Sequence, residues 1–544
     1  MSKFRLVELV STDSFQTTSG PGKTGQIQKV EEDLHALLPN NPFVPPKGDI
    51  CFIKNIPPEL LSRIFEVGSE GNDSEDDEGE EGDKEETDAI GSSDFPAPWL
   101  LFQIVVSHVC RHWRNVAFST PSLWTSILVT LEARPPYESV LTRLERSKGL
   151  PIDIYVNCER RVHVCNVKPP SDADLEFLFS LLIPHVHRWR AVKVSVSDCY
   201  HMDVFLRAVS DPSIPAAPQL RSLELYHQEE TEVDSFGYPG MSKHLTLFGG
   251  SVPSLTRLIL SGVHIDWNQP WITSASNLTE LELAFHSEDV RPSWAQLATI
   301  LRGASALEKF GLILSGPSGD PPEWLFEPTP ESPADRNAPL QLPHLTYFIL
   351  AFHSQAHSIG LLRKFCLPAL KHLVLDFDNG DYTDFIHELA KPATSLPLPS
   401  AQEPPCSLLR NLKTLKIAGL PCRTEGVEAL YSELQNLTLL DLSLSYPPEV
   451  FLSLLCSPCM LTGRHYTSLP RLVTLYVSGA SSDVLRKVVQ KRKDAGVPLN
   501  SLYVEEPCEV EDDDVEWLRE NLTTFEFFKD SNGKLMDGRI WINV

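Results

Sequence analysis

Pro253-Ser254-Leu255-Thr256-Arg257-Leu258-Ile259-Leu260 is one copy of a phrase that recurs along most of this chain: leucine, two residues, leucine, one residue, leucine. Clear copies stand at Leu220/Leu223/Leu225, Leu278/Leu281/Leu283, Leu345/Phe348/Leu350, Leu370/Leu373/Leu375, Leu412/Leu415/Ile417, Leu437/Leu440/Leu442 and Leu472/Leu475/Val477. Weaker copies stand at Leu307/Phe310/Leu312 and Leu499/Leu502/Val504, and Trp189/Val192/Val194 reads as a leading one. Pro218, Pro253, Pro343, Pro368 and Pro470 each sit two residues ahead of a copy. Proline biases its predecessor towards extended backbone and cannot continue a helix, so it marks the loop before a strand. In a strand, alternate residues share a face. The second and third leucines of each copy therefore point into a common core, while Glu224, Lys416 and Asp441 point the other way. Tyr226, Tyr347, Tyr476 and Tyr503 fall on that opposite face. Tyrosine supplies large contact area at low entropic cost, so these four are expected to meet a partner.

Between the copies lie helical patterns, with apolar residues spaced at three and four: Asp174–Leu182, Leu297–Arg302, Ile359–Phe365, Gly426–Leu434, Glu449–Cys456, Ser482–Lys491 and Asp512–Asn521. Thr424, Ser482 and Asp512 are suited to N-caps. Strand, loop, helix, loop is one repeat of a leucine-rich solenoid. A single repeat cannot bury its own core; stacking does so. Two Pro-rich inserts, Gly316–Leu340 and Pro392–Pro405, read as mobile surface loops.

The front of the chain has a different pattern. Ile56-Pro57-Pro58-Glu59-Leu60-Leu61-Ser62-Arg63-Ile64-Phe65 opens a helix, because a first-turn proline lacks only an N–H that would have no partner there. Leu60, Leu61, Ile64 and Phe65 make one apolar stripe. Val105, Val106, Val109, Cys110 and Trp113 make a second, with Arg111, His112 and Arg114 on the wet side. Pro121 ends that segment, and Leu123 with Trp124 can fold back onto it. About three short helices cannot cover all this apolar surface alone, so the leftover patch predicts a partner. Between the stripes runs Glu70-Gly71-Asn72-Asp73-Ser74-Glu75-Asp76-Asp77-Glu78-Gly79-Glu80-Glu81-Gly82-Asp83-Lys84-Glu85-Glu86, which repels itself and has no apolar content. It reads as a disordered insertion at about 68–96. Ser74, followed by acidic residues, is a candidate phosphorylation site.

Taken together, the Ile-Pro-Pro-Glu opening, the Val109-Cys110-Arg111-His112-Trp113-Arg114 centre and the Ser119-Thr120-Pro121-Ser122-Leu123-Trp124 close resemble the F-box-like domain at the front of many fungal proteins. The repeats resemble the leucine-rich-repeat region that follows it there. The resemblance implies docking on the Skp-type adaptor of a cullin-based (SCF) ubiquitin ligase. Carried over by position, Pro57, Leu60, Leu61, Ile64, Val109 and Trp113 serve that interface or the small core behind it. The implied fold is α+β and multidomain: a small helical F-box, then an irregular leucine-rich-repeat α/β solenoid. Residues 1–48 form a largely disordered segment with one short helix at Ile27–Leu38, residues 49–130 the F-box-like domain and residues 150–544 the solenoid. The chain departs from the family in its long acidic insertion, its uneven repeat lengths and its lack of the asparagine that normally follows the last leucine of each repeat.

A chain of 544 residues with formal net charge −26 lacks the clustered cations that nucleic acid or an anionic membrane requires, so neither is an expected partner. Met1-Ser2-Lys3-Phe4-Arg5-Leu6-Val7-Glu8 carries no secretory pattern, and no transmembrane run is present. The 11 scattered cysteines suit reduced thiols in the cytoplasm or nucleus. Cys456-Ser457-Pro458-Cys459 has metal-type spacing but no second pair, and the Cys158, His163 and Cys165 cluster fits an alternating strand better than a metal site. Gly20-Pro21-Gly22-Lys23-Thr24 lacks the spacing and the preceding strand of a phosphate loop, and no Gly-x-Ser-x-Gly elbow occurs. Neither a cofactor nor a metal nor catalysis is expected.

Two functions compete. One is a substrate receptor that holds the adaptor and, through it, a cullin at the front, and a target protein on the repeats. The other is a non-ligase interaction scaffold that keeps an F-box-like fold, favoured by the acidic insertion.

Overall fold

The computed structural model describes residues 56–69, 102–159, 168–227, 245–325, 339–377, 379–392, 407–443, 449–455, 458–459, 466–506, 510 and 512–528. The N-terminal segment with Ile27–Leu38, the acidic run with Ser74, residues 326–338 and 393–406 of the two inserts, His163, Cys165 and Cys456 lie outside them. The chain divides into two compact units between Leu123 and Trp124.

The first unit contains α1 (Pro58–Ser69), α2 (Phe102–Val109) and α3 (Arg111–Ser119). Pro58 is the first helical residue, with Glu59 in the first turn where the helix dipole favours a carboxylate. α1 runs through Ser69, two residues into the stretch expected to be unstructured. The second apolar stripe is two helices rather than one. Cys110 takes extended backbone (φ −161°, ψ 172°) and caps α3, its Sγ accepting from the Trp113 amide at 3.5 Å. Arg114 is not on a wet face: its Nε donates to the Ser107 carbonyl at 2.9 Å, tying α3 back to α2.

Among the described residues, the second unit is built on a sheet of fourteen parallel strands that follow one another in chain order, with two small two-stranded sheets, Leu340–Gln341 with Phe365–Cys366 and Pro458–Cys459 with Tyr466–Thr467, beside it. β1 (Ser126–Val129), β2 (Ile152–Cys158), β3 (Trp189–Val196), β4 (Ser222–His227), β5 (Arg257–Ser261), β6 (Glu280–Ala284) and β7 (Lys309–Ile313) form its first half. β8 (Tyr347–Ala351), β9 (His372–Asp376), β10 (Thr414–Gly419), β11 (Leu439–Leu442), β12 (Thr474–Val477), β13 (Ser501–Glu505) and β14 (Thr524–Phe528) complete it. The crossovers carry α4 (Glu138–Arg146), α5 (Asp172–Leu182), α6 (Cys199–Ala208), α7 (Pro270–Thr273), α8 (Trp294–Gly303), α9 (Gln355–Lys364), α10 (Thr383–Ala390), α11 (Thr424–Glu433), α12 (Glu449–Leu455), α13 (Ser482–Asp494) and α14 (Asp512–Asn521). This is an α/β repeat array, and every copy of the leucine phrase lies on one of its strands.

The register puts the paired leucines in line. Leu223 opposes Val192 on one side and Leu258 on the other, and Leu258 opposes Leu281. These residues join helix residues such as Phe205, Leu297, Phe385, Leu430 and Val488 in one continuous core. The sheet also takes in β1, upstream of the expected start at residue 150, and β14 at its far edge. Real caps sit one residue before Thr424 and Ser482, at Arg423 and Ser481, neither with a side-chain cap bond. Ser171, Asp198, Ser293 and Ser354 do cap their helices through side-chain oxygens.

A ladder of main-chain carbonyls runs across the strand entrances. The Arg221 carbonyl accepts from the amides of Thr256 and Arg257; the Thr256 carbonyl accepts from Thr279 and Glu280; the Thr279 carbonyl accepts from Glu308 and Lys309. The same pairing continues through Glu308, Thr346, Lys371, Lys413, Thr438, Val473 and Asn500 to Thr524. Threonine reinforces it, as where Thr256 Oγ1 donates to the Arg221 carbonyl at 3.0 Å. Buried arginines satisfy turn carbonyls elsewhere: Arg188 donates to Leu150 and Leu144, and Arg492 to Ser468 and Leu469. The first insert is partly structured, with Trp324 buried and stacked on Trp294 at 6.1 Å.

At the strand exits, Gly262, Phe285, Leu314 and Phe352 all take left-handed backbone (φ 46–65°) while their amides donate to the next strand. Gly262 has no alternative, because a Cβ there would stand 2.5 Å from the His227 carbonyl oxygen. His286 and His353 follow two of these exits. Burial, then the positive charge of Arg291 beside His286 and the ring of His357 beside His353, holds both down to about 3. Both are neutral when folded but take a proton near about 6.5 when unfolded. Their contribution to stability is therefore complete above that pH and is lost as pH falls from about 6.5 towards 3. Melting temperature is expected to drop across that window. The stability gap between wild type and His353→Gln should be widest above pH 7 and should narrow by about pH 4.5; a gap independent of pH would contradict this.

Candidate protein-docking site

In the first unit, period alone cannot say which apolar residues face inward, and the structure separates them. Leu61 and Phe65, four apart on α1, are buried with Val106, Val116, Ala117 and Leu123. Phe65 is the centre: its ring meets Trp113 at 5.0 Å and Phe102 at 6.5 Å, both edge-on. Gly68 admits the Phe102 ring, which a Cβ would meet at 2.5 Å. Polar contacts fix α1 to the close of the unit: Ser62 shares a 2.9 Å hydrogen bond with Thr120, and Ser122 donates to Glu66 at 2.8 Å.

The other ridge of α1 is uncovered. Leu60, Ile64 and Val67 are 60%, 51% and 55% exposed, and on α2 Val105 and Val109 are 56% and 55% exposed. Large aliphatic side chains left in water at this density, on helices with their own core, are what a docking face consists of. Of the six residues expected to serve the interface or its core, Pro57, Leu60, Ile64 and Val109 lie in water, Leu61 belongs to the core, and Trp113 is half-buried against Phe65. Val67 was not named from sequence, although it falls one turn beyond Ile64 on the same ridge. Leu123 is buried, and Trp124 falls in the second unit, with the Arg146 guanidinium over its ring at 4.4 Å.

The sheet face opposite the leucines divides into two kinds of surface. Tyr226 and Tyr347, expected as contacts, are only 2% and 4% exposed, so neither presents a surface. Tyr226 donates to Glu224 at 3.2 Å and lies under Lys193 at 5.1 Å. Tyr347 stacks on His372 at 5.7 Å within a small cluster of Ala284, Ile313, Ile349, Ala351 and Val374. Charges on this face are largely paired: Arg257 bridges Glu224 at 2.9 Å and Glu280 at 2.7 Å, and Asp153 holds Arg190 at 2.5 Å. Tyr476 and Tyr503 are different: they stack on each other at 4.4 Å and are only half-buried.

No helix among the described residues is long and apolar enough to cross a membrane, and no group of three or more metal-ligating side chains is found among them. No family model and no curated protein matches the chain. Among solved structures it is similar to a chain of "Crystal structure of Rad7 and Elc1 complex in yeast", at 12% identity over 93% of this chain and 98% of that one, with a TM-score of 0.31. A superposition that loose bears on neither fold nor function.

The division of α1 into two ridges has a direct consequence. Phe65→Ala removes the ring at the centre of the helical core and should cost about 3–5 kcal/mol. Leu60→Asp alters an exposed position and should leave stability within about 0.5 kcal/mol. Chemical denaturation of the two variants checks this, and a large loss for Leu60→Asp would place that residue in the core.

Proposed function

We propose that this chain is an F-box-type substrate receptor of a cullin-based ubiquitin ligase. The observation that carries the reading is the uncovered ridge of Leu60, Ile64 and Val67 beside Val105 and Val109, on helices whose opposite faces already form a core. The ridge docks a Skp-type adaptor, which brings the cullin. The repeat array holds a target protein. The chain supplies proximity for transfer of ubiquitin by other subunits rather than chemistry of its own, so no catalytic side chain is required. Such a complex works in the cytoplasm or nucleus.

Burying five aliphatic side chains of this kind accounts for several kcal/mol of association before ordering costs, at roughly 1.5–3 kcal/mol each. A charge placed on the ridge forfeits that gain and adds a desolvation penalty. Leu60→Asp and Val109→Asp should therefore abolish capture of the adaptor by the full chain in a pull-down while leaving the melting temperature unchanged. Equal capture by wild type and both variants would end this reading.

The acidic run Glu70–Asp88 favours a second reading, a scaffold that has left the ligase. If removing residues 70–88 is what creates adaptor binding, the intact chain is the scaffold; if wild type already captures the adaptor, it is the receptor.

A further inference from the structure

One row of the sheet face crosses four strands in register. Asp441 on β11 opposes Tyr476 on β12, Tyr476 opposes Tyr503 on β13, and Tyr503 opposes Glu526 on β14. The row thus reads carboxylate, two aromatic rings, carboxylate. The rings are nearly parallel, with centroids 4.4 Å apart and 11° between their planes, and Phe528 abuts Tyr476 edge-on at 5.7 Å. Both tyrosines are half-buried, and Glu526 is exposed at the edge strand. Asp441 is buried and already accepts from Ser443, with Lys416 at 3.5 Å, so it adds negative potential rather than a contact. Burial first, then Tyr503, Asp441 and Glu526, pushes the Tyr476 phenol up to about 12; burial and Glu526 raise Tyr503.

The outer face of a stacked aromatic pair, with a carboxylate beside it, is electrostatically complementary to a side-chain cation. The ring quadrupole attracts it, and the carboxylate pairs with it. An apolar or acidic partner would leave Glu526 unmatched or repelled. The formal net charge of −26 attracts the same class of partner at long range.

We propose that the Asp441–Tyr476–Tyr503–Glu526 row is the target-binding site of the repeats, and that it receives a lysine or arginine side chain from a basic segment of the target protein. The cation rests against the tyrosine pair and pairs with Glu526, while Phe528 walls one side. The assignment rests on the target-holding role proposed above for the repeats.

The test uses the full chain at about 0.15 M salt, where unlocalised attraction is largely screened. The probe is a fluorescein-labelled Gly-Lys-Gly-Arg-Gly-Lys-Gly-Arg peptide followed by anisotropy, with its glutamate counterpart as control. Glu526→Lys and Tyr503→Leu are each expected to weaken the basic peptide by about fivefold or more, with unchanged melting temperature. Removing residues 70–88 should leave the affinity within about twofold, as should ending the chain after Phe528. Three results would overturn the assignment: equal binding by wild type and both row variants, loss of binding only with the acidic run, or binding that appears only once residues 529–544 are gone. The last would make the chain's own tail the occupant. Adaptor capture by the wild-type chain is measured alongside. A chain that captures the adaptor but ignores the peptide loses only the peptide assignment. A chain that binds the peptide through the row but ignores the adaptor loses only the ligase reading.

Discussion

Leu258 and Leu260 point from β5 towards the helices, and β5 alone has nothing to cover them. Cover comes from the leucines of β4 and β6 on either side and from helices such as α7 and α8, all part of one continuous core. Each repeat stands in the same position, so none is stable without its neighbours. The carbonyl ladder follows from that dependence. Once the leucines stack, the residues before each strand are brought into line, and one carbonyl per repeat takes two amides from the next. Where turns would leave carbonyls buried and unmet, Arg188 and Arg492 reach in to satisfy them.

The same limit acts on the three helices at the front, with the opposite outcome. Their core is Leu61, Phe65, Val106, Val116 and Ala117, gathered around one phenylalanine ring. Eight to twelve residues per helix give enough apolar surface for a core on one side and a ridge on the other, and no further element among the described residues covers the ridge. In the repeats the chain itself supplies the next layer. At the ridge, none of the described residues supplies one.

Much of this was legible in the residues. The leucine phrase located strands β3 to β13 and named their inward residues, because alternation in a strand is a local property. β1, β2 and β14 escaped it: Ile127/Val129 and Ile154/Val156 alternate without a leading leucine, while Leu522/Phe525/Phe527 has the spacing but aromatic rings at its last two positions. What one face of a sheet exposes is not local. Tyr226 stands between Ser195 and Ser261, with Lys193 over its ring, and is buried. Tyr476 and Tyr503 stand beside each other in register with their rings stacked. Tyr226 follows the last leucine of its phrase, whereas Tyr476 and Tyr503 sit between the second and third positions; burial differs with the neighbouring strands. Leu60 and Leu61 raise the same difficulty on a helix. A stripe containing both is too wide to have one inner side, and only the positions of Phe102 and Trp113 around Phe65 decide that Leu61 turns in and Leu60 turns out. The break at Cys110 was hidden because both halves of Val105–Trp113 carry helical spacing across it.

Amide hydrogen exchange of the intact chain, with and without a purified Skp-type adaptor, examines the uncovered ridge most directly. Exchange in α1 and α2 is expected to slow on adding the adaptor, with β3 to β12 unchanged. Exchange in residues 58–69 and 102–109 that is the same with and without adaptor would contradict this.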